Sequence, residues 1–248
     1  MSEISKVPRE PEEFKSWLRE FHEGNMTVDP PEVDRAIFGT TCTSYDSELF
    51  ARFSYNTDTP SEERLGKIKI RHKAYGRETT WGPGSETIWT PYEVGRDVAK
   101  VLDINAEDKF YDLGSGYGRM PIYAGITTGA DCTGIELVRE RTELTNEAIA
   151  RLGLANVRTL NGDINGIDFS DGNKFYMYAP FNRDTTDAVV NELVQLAEQK
   201  PIRVAMRATK YILERHSMTF EQYHESCIPH GANERRQGLS NVYYFQSK

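Results

Sequence analysis

Three glycines alternate in Asp112-Leu113-Gly114-Ser115-Gly116-Tyr117-Gly118, directly after the apolar run Lys109-Phe-Tyr, and an acid, Glu136, closes the next apolar run, Asp131-Cys-Thr-Gly-Ile. Glycine lacks a Cβ, so such a turn can take positive φ and let the backbone lie against a ligand where a side chain would collide. A helix opening after Gly118 would present free N–H groups and the positive end of its dipole to that ligand. A carboxylate at the end of the second strand can accept both hydroxyls of a ribose. The combination points to an adenosine-containing cofactor. Nicotinamide-binding turns use Gly-x-Gly-x-x-Gly, whereas this chain has Gly-x-Gly-x-Gly and places Arg119 where the third glycine of the dinucleotide pattern falls. The spacing favours S-adenosylmethionine over NAD.

A third acid strengthens the reading. Asn161-Gly162-Asp163-Ile164 follows the strand-like run Asn156-Val-Arg-Thr-Leu160, so Asp163 can accept from an adenine amino group while Ile164 packs on the ring face. Here the chain resembles the class I S-adenosylmethionine-dependent methyltransferases, over residues 86–248. The resemblance implies that Asp112, Gly114, Ser115, Gly116 and Gly118 hold the methionine end of the cofactor, Glu136 the ribose, and Asp163 with Ile164 the adenine. The stretch Trp89-Thr90-Pro91-Tyr92-Glu93 looks like the segment that closes over the cofactor carboxylate in seven-strand lysine methyltransferases, which adds Thr90 and Pro91 to the cofactor residues. The same stretch reads as a helix start, with Thr90 as cap, Pro91 at the first helical position and Glu93 as the third-position acid.

The fourth strand-like run carries the signal for the acceptor. Phe175-Tyr-Met-Tyr-Ala-Pro-Phe-Asn182 places an Ala-Pro-Phe tip at the carboxyl end of the sheet, beside the transferred methyl. Enzymes that methylate the exocyclic amine of adenine or a glutamine amide begin this tip with Asp or Asn followed by Pro-Pro. Ala179 has no polar side chain and Phe181 replaces the second proline, which counts against amino-group methylation of bases. The arrangement is closer to two lysine methyltransferase families, the disruptor-of-telomeric-silencing family acting on histone H3 and the ATP synthase c-subunit family. The histone enzymes have Asn-Asn-Phe at the tip, and residues 1–85 match neither family. Tyr92, Tyr178, Phe181 and Asn182 are the residues expected around the nucleophile. Strand alternation also allows Tyr178 to face a core, and Asn182 to cap the following helix.

These groups need a frame that brings strand ends together. Helical and strand-like segments alternate as helix 91–102, strand 109–113, helix 118–126, strand 131–136, helix 138–152, strands 156–160 and 174–179, helix 184–199 and strand 202–207. Crossovers of that length imply a parallel, doubly wound α/β sheet. Segments 218–224 and 241–246 can pair as an antiparallel terminal hairpin, completing a seven-strand methyltransferase sheet. Residues 1–85 read as a mostly helical extension or lid ahead of a cofactor-binding domain at 86–248. Within the extension, Phe14, Trp17, Leu18 and Phe21 share one helical face, the stripe of a helix docked on the body. A second helix begins at Pro30-Pro31. Further amphipathic segments fall at 47–53 and at 62–75, the latter a basic, solvated face, and 77–85 reads as a loop.

Composition narrows the partners. The 38 Asp and Glu outweigh 30 Lys and Arg for a net charge of −8, which offers no general attraction to phosphate backbones and suits a cationic protein tail or amine better. Three separated cysteines, Cys42, Cys132 and Cys227, form neither a disulfide framework nor a zinc pattern, and no metal site is expected. Without an apolar signal core or a bilayer-length run, the cytoplasm is the expected compartment. The sequence thus predicts methyl transfer to a protein lysine amine. A small-molecule oxygen, nitrogen or carbon acceptor, with residues 1–85 as the selecting lid, needs the same cofactor site. A non-catalytic interaction module on the same fold would have no need of the glycines and acids.

Overall fold

The computed structural model describes residues 6–24, 26, 28–42, 44, 90–178, 181, 183–207, 213, 216–230 and 238–248, and leaves out the side chains of 229–230 and 238–240. Among the described residues thirteen main elements follow in order: α1 (Pro11–Glu23), α2 (Pro30–Phe38), α3 (Tyr92–Val101), β1 (Lys109–Leu113), α4 (Arg119–Thr128), β2 (Asp131–Glu136), α5 (Arg139–Leu152), β3 (Val157–Asn161), β4 (Lys174–Tyr178), α6 (Arg183–Ala197), β5 (Arg203–Arg207), β6 (Phe220–His230) and β7 (Gly238–Ser247). A short 3-10 turn, Ile164–Gly166, lies between β3 and β4. None of the described helices is long and apolar enough to cross a membrane.

The seven strands form one sheet in the order β3-β2-β1-β4-β5-β7-β6. Strands β1 to β5 run parallel, while β7 is antiparallel to both β5 and β6. The chain moves outward from β1 in one direction through β2 and β3, then returns to the other side of β1 with β4. That reversal opens a crevice above the carboxyl ends of β1 and β4, where open α/β sheets bind ligands. The terminal hairpin is longer than the expected segments and carries a bulge between Gln222 and His224. Alternating side chains put Phe110, Cys132, Tyr176, Ala205 and Tyr244 in one core, and Leu113, Ile135, Phe175, Met177, Val204 and Phe245 in the other.

Helices α1 and α2 belong to the first of these cores. Pro11 opens α1 with Glu12 and Glu13 in its first turn, a start that suits the fixed proline φ and the helix dipole. Its stripe of Phe14, Trp17, Leu18 and Phe21 is buried with the side chains of α3 and α4, as the periodicity predicts. Helix α2 begins at Pro30-Pro31 and stops at Gly39, whose φ of 76° ends the helix in the left-handed region. Arg96 of α3 donates to the carbonyls of Gly24 and Met26, both at 3.0 Å, and so satisfies oxygens left open beyond the end of α1. Segments 47–53, 62–75 and 77–85 lie outside the described residues.

Candidate cofactor and acceptor site

The glycine turn leaves β1 with φ of 89° at Gly114, 56° at Gly116 and 66° at Gly118. A Cβ on Gly116 would meet no atom within 4 Å, so that backbone faces open space. Gly118 is constrained from the other side: a Cβ there would sit 2.4 Å from Thr145 Cγ2 of α5. One glycine lets a ligand approach, and the other lets a helix approach.

Four of the turn's own amides have partners within the protein. Gly114 and Ser115 N–H both donate to the Ile135 carbonyl at 3.0 and 2.9 Å, and Gly118 N–H donates to the Ser115 carbonyl at 2.9 Å. Gly116 N–H donates to Glu136 Oε2 at 2.8 Å, while the other carboxylate oxygen accepts from Val138 N–H at 2.8 Å. A phosphate-binding turn needs its N–H groups for the phosphate oxygens. Here a carboxylate occupies that role, so the turn repels pyrophosphate and suits a cofactor that carries positive charge. The Ser115 hydroxyl is buried without a hydrogen-bond partner among the described residues, and it points to β2 at Gly134.

Asp112 is buried in direct register with Gly134 on β2 and Tyr176 on β4. Burial, and after it the nearby Glu136 charge, push its carboxyl well above the usual carboxylate range. Two acids held this close favour a cation between them. Glu136 itself retains lone pairs beyond the two amides, since a carboxylate offers about four acceptor positions. Asn161 Nδ2 donates to the carbonyls of Glu136 and Leu137, both at 3.0 Å, and fixes the end of β2 against β3. Leu137, at 48% exposure, is an apolar surface beside that acid which the sequence reading missed. Its only signal there was its position after Glu136.

The adenine candidates separate. Asp163 is exposed and caps the 3-10 turn, its Oδ1 accepting from Asn165 N–H at 3.0 Å. Ile164 is buried in the second core with Val189 and Leu193. The Thr90 segment also departs from the expected helix start. Pro91, not Thr90, is the N-cap of α3, no side chain caps it, and Gly95 N–H pairs with the Pro91 carbonyl at 3.0 Å. Thr90 Oγ1 instead pairs with the Tyr176 hydroxyl at 2.9 Å, which ties the segment to β4 beside Asp112. Glu93 accepts from Val28 N–H at 3.2 Å, and its other oxygen is buried without a partner among the described residues.

Of the residues expected around the nucleophile, Tyr92 is 1% exposed and its hydroxyl donates to Asp34 at 2.9 Å. Tyr178 is half-buried on the Tyr176 side of the sheet, with the Arg207 guanidinium stacked 3.9 Å above its ring. Phe181 packs against the other core, so the described structure does not place it against the same core as Tyr178. Asn182 lies outside the described residues, as do Ala179 and Pro180.

The profile of a family described as "Histone methylation protein DOT1" matches residues 83–175, which run from before α3 into β4. No curated protein sequence matches the chain. Among solved structures, a tRNA (m1A58) methyltransferase from Aquifex aeolicus superposes with a TM-score of 0.51 at 14% identity, covering 66% of this chain and 71% of its own. An S-adenosylmethionine-dependent O-methyltransferase from Thermotoga maritima gives 0.50 at 17% identity, covering 66% and 68%. The chain has the fold of the class I methyltransferases. A precorrin-6y C5,15-methyltransferase from Geobacter metallireducens gives 0.50 at 13% identity and covers 66% and 91% of the two chains. S-adenosylmethionine is the cofactor of this class, and the residues present fit it. The open side of Gly116 leaves room, and Asp112 and Glu136 supply negative charge for a cation. The seven-strand sheet and the terminal antiparallel pair are those the resemblance implied.

Proposed function

We propose that this methyltransferase transfers a methyl group from S-adenosylmethionine to the side-chain amine of a protein lysine. The observation that carries the cofactor half is the Glu136 carboxylate seated on the Gly116 amide, beside open space and on the same side of the sheet as Asp112. When bound, S-adenosylmethionine supplies a methyl already activated by its sulfonium. The chain's own work is therefore to bind, align and exclude water.

Asp112 and the Gly114–Gly118 turn hold the methionine end, with Thr90 and Pro91 closing beside them. Glu136 accepts the ribose hydroxyls. The exposed carboxylate of Asp163 accepts from the adenine amine, and Leu137 bounds the ring. Tyr178, steadied by Arg207, presents an aromatic wall at the carboxyl end of β4, where Phe181 and Asn182 follow. A lysine with its ordinary pKa of about 10.4 must shed a proton before it can act as a nucleophile, and both the loss of water beside this ring and the neighbouring Arg207 charge disfavour its ammonium form. Tyr92 serves the site through Asp34. The family profile match over residues 83–175 and the net charge of −8 support a protein acceptor with a basic tail. The profile covers the cofactor-binding half, so the acceptor rests on the chemistry at Tyr178.

The test is transfer of isotopically labelled methyl to a panel of unmodified basic proteins, histone H3 among them, followed by acid hydrolysis. Label recovered as methyl-lysine, and lost with Glu136→Ala, supports the reading. Label confined to a small-molecule fraction overturns the lysine acceptor, and no transfer to any acceptor overturns both halves.

A further inference from the structure

Arg119, the first residue after the glycine turn, has no access to the crevice. Its side chain is buried and turns toward α2, where Nε donates to Asp34 Oδ1 at 2.9 Å and Nη2 donates to Asp34 Oδ2. Its remaining nitrogen, Nη1, reaches the Thr90 carbonyl at 3.4 Å. Asp34 is 2% exposed and also accepts from the Tyr92 hydroxyl at 2.9 Å and the Cys42 N–H at 3.3 Å. Two donors thus meet each carboxylate oxygen, which is the full capacity of the group. The Arg119 guanidinium also lies 5.3 Å from the centre of the Tyr92 ring.

Three separate stretches of chain converge on this one carboxylate. One is the glycine turn through Arg119, the second is the Thr90–Tyr92 segment through the Tyr92 hydroxyl and Arg119, and the third is α2 itself. Two of the three are the segments that the proposed function sets around the methionine end of the cofactor. The proposed function sets Glu136, Asp163 and Leu137 at the adenosine end, where Glu136 is anchored separately by the Val138 N–H and meets the turn at the Gly116 amide. A paired guanidinium fork fixes distance and plane together, as a single point charge does not.

We infer that Asp34 is a positioning residue for the cofactor site, acting through Arg119 and Tyr92 to set the glycine turn against the Thr90–Pro91 segment. Residues 30–38 are then a built-in wall of the site and not a detachable lid. The inference rests on the cofactor reading above. It predicts an effect divided along the cofactor: losing the Asp34 fork loosens the amino-acid end and leaves the adenosine end as it was. A role in folding alone would weaken both ends alike.

The experiment compares S-adenosylhomocysteine with 5′-methylthioadenosine, which lacks the amino-acid end, by calorimetry on the native chain, Asp34→Asn and Arg119→Lys. Asp34→Asn sets an amide against a buried guanidinium and can cost the fold. Arg119→Lys keeps the charge while removing the fork, and circular dichroism verifies that each variant is folded. The expected result is a loss of about tenfold or more in S-adenosylhomocysteine affinity, with the methylthioadenosine affinity held within about threefold. Equal losses for the two ligands, or native affinity for both, overturn the inference while native binding leaves the cofactor reading intact. A native chain that binds neither compound overturns both together.

Discussion

Glu136 reaches from the end of β2 across the glycine turn and accepts the Gly116 amide at 2.8 Å. The contact joins the two features by which the sequence announces a cofactor, the glycine turn and the acid that ends the second strand. A turn whose amides are satisfied from within binds by shape and by its acids. The adjoining Asp112, whose carboxyl burial and then the Glu136 charge push well above the usual carboxylate range, is then the group that responds when a cation arrives.

That response has a pH signature. The folded pKa of Asp112 lies above its unfolded value, so its contribution to stability is complete below the unfolded carboxyl pKa of about 3.9 and is lost as pH rises through the folded value. Asp112→Asn removes this loss, and urea denaturation should show the variant gaining on the native chain as pH is raised above the unfolded carboxyl pKa. A bound sulfonium favours the ionised carboxyl, so cofactor binding should release a fraction of a proton. Calorimetry in buffers of differing ionisation heat reads that release, and identical heats in all buffers would contradict it.

Gly118 allows α5 to approach the turn. Gly118→Ala places a methyl against Thr145 Cγ2 in a left-handed backbone, and should destabilise the fold by about 2–4 kcal/mol. Thr145→Ser removes that methyl and keeps the hydroxyl bonded to the Arg141 carbonyl at 2.8 Å. The double variant should recover about 1 kcal/mol relative to additivity, leaving the backbone strain. Additive losses in denaturation would show that the contact is not felt.

The α1 stripe should behave as core. Phe14 is 0% exposed, and Phe14→Ala should cost about 3–5 kcal/mol in a single unfolding transition that includes the sheet. A native-like main transition preceded by a small early one would instead mark α1 as an independent attachment.

Tyr178 bears on the acceptor and not on the cofactor. Tyr178→Ala should leave S-adenosylhomocysteine affinity within about twofold while reducing methyl transfer by about tenfold or more, a loss of transition-state stabilisation near 1.4 kcal/mol. Parallel loss of binding would move this ring into the cofactor pocket.

Much of this arrangement is legible in the chain because it is local. The turn from Asp112 to Gly118 and the acids at the end of β2 and just after β3 lie next to short apolar runs that read as strands, and the crossover lengths imply a parallel sheet. The Phe14 stripe likewise foretells a buried helix face. What escapes is pairing across long separations. Thr90 has the composition of a cap, yet Tyr176, distant in sequence, takes its hydroxyl. Arg119 marks only a missing glycine until α2 brings Asp34 to it. Ile164 has the right neighbours for a ring face, but the 3-10 turn rotates it into the core. Leu137 carries no periodic signal, since it stands outside any element.

The most direct test of the account is calorimetric binding of S-adenosylmethionine and S-adenosylhomocysteine to the native chain and to Glu136→Ala. The predicted result is micromolar binding by the native chain, weakened by an order of magnitude or more in the variant, about 1.4 kcal/mol. A folded native chain that binds neither compound, or a variant that binds both as well as the native chain does, would contradict the site described.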